Sequence, residues 1–231
     1  MSENKQQTFL SLDIEVVEKQ IAAIGVSKGK IDSKMNPKID DGKSFYGAVK
    51  YDERKLSSFW KDNIKKLKFF EENAISQNKM AEQVEKYIVE QQKLDPNFIF
   101  VSDFGSFDIG ILNKWLESHN KKPLRFRRNE KSDFFMDVDI TSFAAGVLFA
   151  LSPMNAFNKG WEWGLFEKIF QKLGINPKNE FEHDHNPQND ASKNLSDFLS
   201  LLEHGMKNGI VGKKRKVDDD EYLPNKKAKL V

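Results

Sequence analysis

Residues 9–17, Phe-Leu-Ser-Leu-Asp-Ile-Glu-Val-Val, alternate apolar and polar positions through their first half and end in β-branched residues, the pattern of a half-buried strand. After one charged turn, residues 21–27 repeat an apolar, β-like run, and the two together predict adjacent antiparallel strands. A third strand is expected over 44–51, beyond a polar loop at 28–43 that carries Gly and Pro. From 56 to 74 and from 80 to 94 the spacing becomes helical, with Met80, Val84, Tyr87 and Ile88 on one face. Asp95-Pro96-Asn97 stops the second helix, and Phe98-Ile-Phe-Val101 is the short continuous apolar run of a fully buried strand. Ser106 stands where an N-cap would stand for a helix carrying Phe107, Ile111, Leu112, Trp115 and Leu116. A further strand is expected near 124–128 or 134–138. An apolar helix ending before Pro153, a helix over 161–173 closed by Gly174, and a last amphipathic helix over 191–206 follow. Antiparallel strands, then helices, then a buried strand feeding a helix predict an α/β domain of three layers around a mixed sheet.

Composition narrows what such a domain does. The 231 residues contain no cysteine, which excludes a disulfide framework, a thiolate zinc site and a cysteine nucleophile. The longest charge-free apolar stretch, 140–151, is far short of the roughly 20 residues a bilayer span needs. The polar opening residues lack the apolar stretch of a signal peptide, so no membrane association is expected and an intracellular setting is. Of the 37 Lys/Arg and 35 Asp/Glu, seven basic and four acidic residues lie within 212–231, which leaves the rest of the chain at a net charge of −1. A body of that charge that acts on a polyanion does so through a local basic patch, or through cations held by clustered carboxylates.

Three constellations carry such chemistry. Asp13-Ile14-Glu15 lies on the opening strand, where alternation sends both carboxylates to one face and Leu12, Ile14 and Val16 to the other. Two acids side by side on a central strand repel one another and are costly to desolvate unless a cation joins them; on an edge strand they would simply be solvated. Asp108 follows the buried strand at the start of a helix, where it either joins a pocket outside the strand ends or merely favours the helix dipole. His183-Asp-His-Asn-Pro-Gln-Asn-Asp190 places two of the four histidines beside two aspartates, with His185 just before a helix and Asp190 near its first turn. A histidine near two acidic sites suits proton abstraction near neutral pH.

In order and separation these pieces resemble the DEDDh branch of the DEDD, ribonuclease-H-like 3′-to-5′ exonucleases, over residues 8–206. Asp13 and Glu15 match that family's Asp-x-Glu on the first strand. Phe107-Asp108 match the Phe-Asp that opens a helix, and His185-Asn-Pro-Gln-Asn-Asp190-Ala191 match its His-x4-Asp. The resemblance looks closest to phage and bacterial members, through Ser57-Ser-Phe-Trp60 and Asp137-Val-Asp-Ile-Thr141. Two positions depart from it: Val16 follows Glu15 where relatives commonly carry Thr, Ser, Phe or Met, and Asp103 stands where Asn is usual.

The resemblance implies a three-layer ribonuclease-H-like fold and a hydrolase that releases nucleoside 5′-monophosphates from single-stranded 3′ ends, with DNA slightly favoured. It implies two Mg²⁺ or Mn²⁺ ions held by Asp13, Glu15, Asp108 and Asp190, since hard cations prefer oxygen ligands. Asp13 would bridge both ions and His185 would be the general base. Val16 and Phe107 would contact the terminal nucleotide, Trp60 either joins them or is a core residue of its amphipathic helix, and Arg125, Arg127 and Arg128 form a strip that either follows the phosphate backbone or is a solvated strand edge. Two other readings use the same residues or the same fold: an exoribonuclease that trims RNA, and a catalytically silent nucleic-acid-binding scaffold.

The organisation expected is a flexible segment over 1–7, the exonuclease domain over 8–208 and a disordered tail over 209–231. Lys213, Lys214, Arg215 and Lys216 in that tail resemble a monopartite nuclear import signal, which implies an import receptor as a partner and a nuclear location; the other reading is non-specific phosphate anchoring, with a cytoplasmic location.

Overall fold

The computed structural model describes residues 6–32, 34, 36–40, 44–51, 57–102, 107–124, 137–151, 165–176 and 185–208. Two long strands dominate it, β1 (Gln7–Val17) and β2 (Gln20–Ile31), paired antiparallel through a two-residue turn. Glu18 and Lys19 in that turn both take left-handed backbone, at φ 48° and 68°, as a tight hairpin matched to strand twist requires. Glu15 pairs with Ala23 and Val16 with Ile21, so Ala22 is the extra residue of a β-bulge.

Around this pair lie β3 (Pro37–Ile39), β4 (Phe45–Val49), β5 (Ala74–Ile75), β6 (Ile99–Ser102) and β7 (Asp137–Asp139), and the sheet order is β5-β4-β2-β1-β6-β7 with β3 also on β2. β6 runs parallel to β1 and β2 antiparallel, so the sheet is mixed and β1 is central. The helices are α1 (Ser58–Asp62), α2 (Ile64–Glu72), α3 (Gln77–Leu94), α4 (Phe107–Ser118), α5 (Ile140–Leu151), α6 (Leu165–Leu173) and α7 (Pro187–Lys207). Among the described residues no helix is long and apolar enough to cross a membrane.

The period-two alternation of β1 divides the core. Leu10, Leu12 and Ile14 join Ile24 and Val26 of β2 against Met80, Val84 and Ile88 of α3 and Leu112 and Leu116 of α4. On the opposite face Phe9 packs with Leu195, Phe198 and Leu199 of α7, while Val17 packs with Trp60, Leu67 and Phe70 of α1 and α2. Asp13 and Glu15 lie on that second face, in the interval between two apolar clusters.

Local chemistry explains where the elements depart from expectation. The helix expected over 56–74 is broken at Asn63, whose side chain donates to the Phe59 carbonyl at 2.9 Å and whose N–H bonds the Phe59 and Trp60 carbonyls, closing α1. The short strands β3 and β5 fall in segments taken as loop or helix. β7 occupies the later of the two positions expected for a strand near 124–138. The last helix begins at Pro187, earlier than expected, because Asn186 caps it by accepting from the Gln188 N–H at 3.1 Å and Pro187 pre-sets the first turn. Asp103, Ser106, Arg125, Arg127, Arg128, His183 and the tail with Lys213–Lys216 lie outside the described residues.

Candidate active site

Asp13 and Glu15 share a face of β1, and Glu15 is 9% exposed while Asp13 is half-buried. The sheet places them centrally, which removes the solvated edge as their explanation. Asp190, in the first turn of α7, is 1% exposed, and Asp108 is buried in the first turn of α4 beyond the end of β6.

What brings Asp190 over β1 is the surface of β2. Gly25, Ser27 and Gly29 alternate on the face that receives α7. A Cβ on Gly25 would lie 2.1 Å from the Pro187 carbonyl carbon and oxygen, and one on Gly29 would lie 3.0 Å from Leu195. Ser27 and Ser192 touch through their hydroxyls at 3.1 Å. Gly25 is opposite Asp13 in the strand register, so the closest approach of α7 to the sheet occurs beside the acids. The helix continues down the sheet by burying Leu195, Phe198 and Leu199.

His185 precedes the Asn186 cap with φ 57°, a left-handed conformation that costs a non-glycine residue roughly 1–2 kcal/mol. It turns the imidazole to the sheet, where Nδ1 is 3.6 Å from Glu15 Oε1. Ligand atoms of Glu15, His185 and Asp190 all lie within 4.8 Å of one another. Two carboxylate charges at that separation repel by about 3–4 kcal/mol at an effective dielectric of roughly 20. A divalent cation turns that repulsion into attraction, and oxygen donors with one imidazole are a donor set that Mg²⁺, Mn²⁺ or Zn²⁺ accepts. Asp13 and Asp108 are outside this close trio.

Helix α1 closes the other side. The Glu18 carboxylate in the hairpin turn accepts from the Ser57 N–H at 2.5 Å, and the Trp60 indole N–H donates to the Val16 carbonyl at 3.0 Å. These two ties fix α1 to the end of β1. Of the two readings of Trp60 the structure agrees with the core one: it is 4% exposed and packed among Val17, Ala22, Ala23, Ala48 and Phe70, so its ring is not open to a base and the expected nucleotide contact is corrected. The open ring is its neighbour Phe59, 44% exposed and set edge-on to His185 with centroids 5.1 Å apart. Phe107 is also largely exposed, beside Asp108, and Val16 is half-buried against the core. Phe59 and Gly25 were missed in the sequence. A glycine inside an alternating strand was the available signal for the second, because it marks a close backbone approach; nothing distinguished Phe59 from the core aromatics around it.

No protein-family model and no curated protein matches this chain. Solved structures do. The crystal structure of cell-death related nuclease 4 aligns with a TM-score of 0.55 and 14% identity over 88% of this chain and 64% of that one. The zinc-bound form of the E. coli exonuclease I–ssDNA complex aligns with the same score and identity, over 88% of this chain and 41% of that one. A complex titled for 3′-end specific recognition of histone mRNA stem-loop by a 3′-exonuclease aligns at 0.52 and 14%, over 90% and 66%. The chain thus spans less than two thirds of the first two. A bacterial enzyme and the cell-death related nuclease score alike, so the likeness does not single out a phage or bacterial branch. With a mixed seven-stranded sheet flanked by helices among the described residues, the chain has the ribonuclease-H-like fold of these nuclease structures.

Proposed function

We propose that this protein is a metal-dependent 3′-to-5′ exonuclease that releases nucleoside 5′-monophosphates from single-stranded ends, with DNA slightly favoured. The observation that carries the reading is the convergence of Glu15, His185 and Asp190 within 4.8 Å, on the same face of β1 as Asp13. Solved structures of the same fold include a cell-death related nuclease, an exonuclease I–ssDNA complex and a 3′-exonuclease titled for 3′-end recognition of an mRNA stem-loop.

In this reading Asp13, Glu15, Asp108 and Asp190 hold two Mg²⁺ or Mn²⁺ ions. Bound there, the ions would neutralise phosphate oxygens, acidify the attacking water and stabilise the leaving oxygen. His185 takes the proton of the attacking water. Its ring lies beside the Glu15 carboxylate and packs in a T-shaped pair with Phe59. Val16 and Phe107 meet the terminal nucleotide. The basic cluster Lys213–Lys216 serves as a nuclear import signal, a role supported by its sequence alone.

The same five residues would equally serve an exoribonuclease, and one fold neighbour is titled for an mRNA stem-loop. One gel separates the readings. Single-stranded DNA and RNA of one sequence, labelled at either end, are incubated with Mg²⁺, Mn²⁺ or EDTA, alongside Asp13→Ala. Metal-dependent shortening from the 3′ end, lost in the variant, is the expected result, and the better substrate names the sugar. Binding without cleavage under every metal, unchanged by the substitution, would overturn the enzyme in favour of a silent scaffold.

A further inference from the structure

Beside the site, helices α1 and α2 present an outward surface of which only Phe59 takes part in the proposed chemistry. Their inward side is Trp60, Leu67 and Phe70. Their outward side interleaves Phe59, Ile64 and Phe69, each 43–44% exposed, with the exposed Lys61, Lys65 and Lys68 and the half-buried Lys66. Between residues 59 and 69 the only acid is Asp62, so the stretch carries a net +3 on a body whose net charge is −1. Among the described residues none of these four lysines has a carboxylate within ion-pairing distance. Large apolar side chains usually turn inward on an amphipathic helix; here three of them stay in water between cations.

Resting on the exonuclease reading, we propose that this face is the track along which the single strand upstream of its 3′ end reaches the active site. Continuity with the site is direct: Phe59 opens the surface and touches His185. At the far end Phe69 leans on Tyr46 with ring centroids 6.0 Å apart, which holds its ring at the surface. Alternating rings and ammonium groups suit a strand whose bases are unstacked, because rings take bases of any sequence while lysines follow the phosphates. A duplex keeps its bases paired inside and would leave the rings unused. Helix α2, about 13 Å long by its nine residues, gives the track room for several phosphates. Binding along it is sequence-tolerant and steeply salt-dependent.

The test compares the full chain with Lys65→Gln/Lys66→Gln/Lys68→Gln, all on α2, and with a control of equal charge change, Lys79→Gln/Lys86→Gln/Lys93→Gln. The control lies on α3, which covers the opposite sheet face. Glutamine keeps helix propensity close to that of lysine, so folding is preserved and is checked by circular dichroism. Two readouts are taken: binding of a fluorescent oligo-dT 12-mer at several salt concentrations, and hydrolysis of a dinucleotide too short to reach α2. The track variant binds the 12-mer roughly tenfold more weakly, with a salt slope reduced by about 2, near 0.7 for each lost phosphate contact. Its dinucleotide hydrolysis and the control's binding stay at the level of the unaltered protein. Unchanged 12-mer affinity and slope, or equal weakening by both triple variants, overturns the proposal. If the unaltered chain cleaves neither substrate while lysine-dependent binding persists, the exonuclease reading fails and the track stands.

Discussion

Gly25 of β2 and Pro187 of α7 meet so closely that a Cβ on the glycine would lie 2.1 Å from the proline's carbonyl carbon and oxygen. The contact joins two backbones, so no side-chain rotation can relieve an added methyl group. Everything that α7 delivers to the site, His185 before its cap and Asp190 in its first turn, depends on that approach. Gly25→Ala must lift the start of α7. Because misplacement of a reacting group by about 1 Å can cost 10²-fold, kcat/KM should fall about 10²-fold, with a stability loss of about 1–3 kcal/mol from overpacking. The control is Gly146→Ala, in α5 with nothing within 4 Å of its added Cβ, which should stabilise by about 0.5–1 kcal/mol. Urea titration beside steady-state kinetics checks both.

Glu15 and Asp190 are buried acids whose ligand atoms lie within 4.8 Å of one another. Added Mn²⁺ should raise Tm by binding only the folded chain. Asp190→Asn should remove most of that rise while leaving Tm in EDTA unchanged or higher, since one of two repelling charges is gone. Scanning calorimetry with and without Mn²⁺ reads this independently of any activity; a full Mn²⁺ shift in the variant would exclude Asp190 as a ligand.

His185→Ala separates chemistry from binding. Oligonucleotide affinity and the Mn²⁺ shift should persist at close to their original size, while kcat falls by about 10² to 10⁴-fold, the usual worth of a general base. Single-turnover rates under saturating enzyme make the measurement, and an unaltered rate would remove His185 from the mechanism.

Trp60 is a structural anchor in this fold. Trp60→Phe keeps one aromatic ring but removes the N–H donated to the Val16 carbonyl together with part of the buried indole, so it should cost about 1–3 kcal/mol. Trp60→Ala also empties the site of a ring that sits among Val17, Ala48 and Phe70, and should cost about 3–5 kcal/mol. Equilibrium urea unfolding distinguishes the two.

Tyr46 gives the fold an alkaline limit. Burial pushes its phenol up to about 12, and among the described residues its hydroxyl has no hydrogen-bond partner. The folded value lies above the ordinary value of about 10, so the neutral form's stability is complete below pH 10 and is lost as pH rises towards 12. Tyr46→Phe should be neutral or stabilising at pH 7 and should shallow the decline in Tm between pH 10 and 12. Tyr87 is shifted the same way by burial and will leave part of that decline in place.

The local patterns were legible because they follow from geometry that a strand or helix carries with it. Period-two alternation put Asp13 and Glu15 on one face of β1, and the helical pattern over 191–206 put Asp190 near a first turn, although the Asn186 cap and Pro187 start that helix earlier. The order of three acidic motifs and one histidine was also enough to expect the fold that the sheet topology and the solved neighbours bear out. Other features depended on which surfaces meet, and a periodic pattern does not name its partner. Only the pairing of β1 with both β2 and β6 made the acids central. Only the glycine-lined face of β2 determined how close α7 comes. Trp60 and Phe59 are adjacent aromatics on one short helix, and the bond from the Trp60 N–H to Val16 decided which ring is buried and which faces His185. Sequence alone therefore determined the residues and their local faces, while long-range packing decided which of those faces share a site.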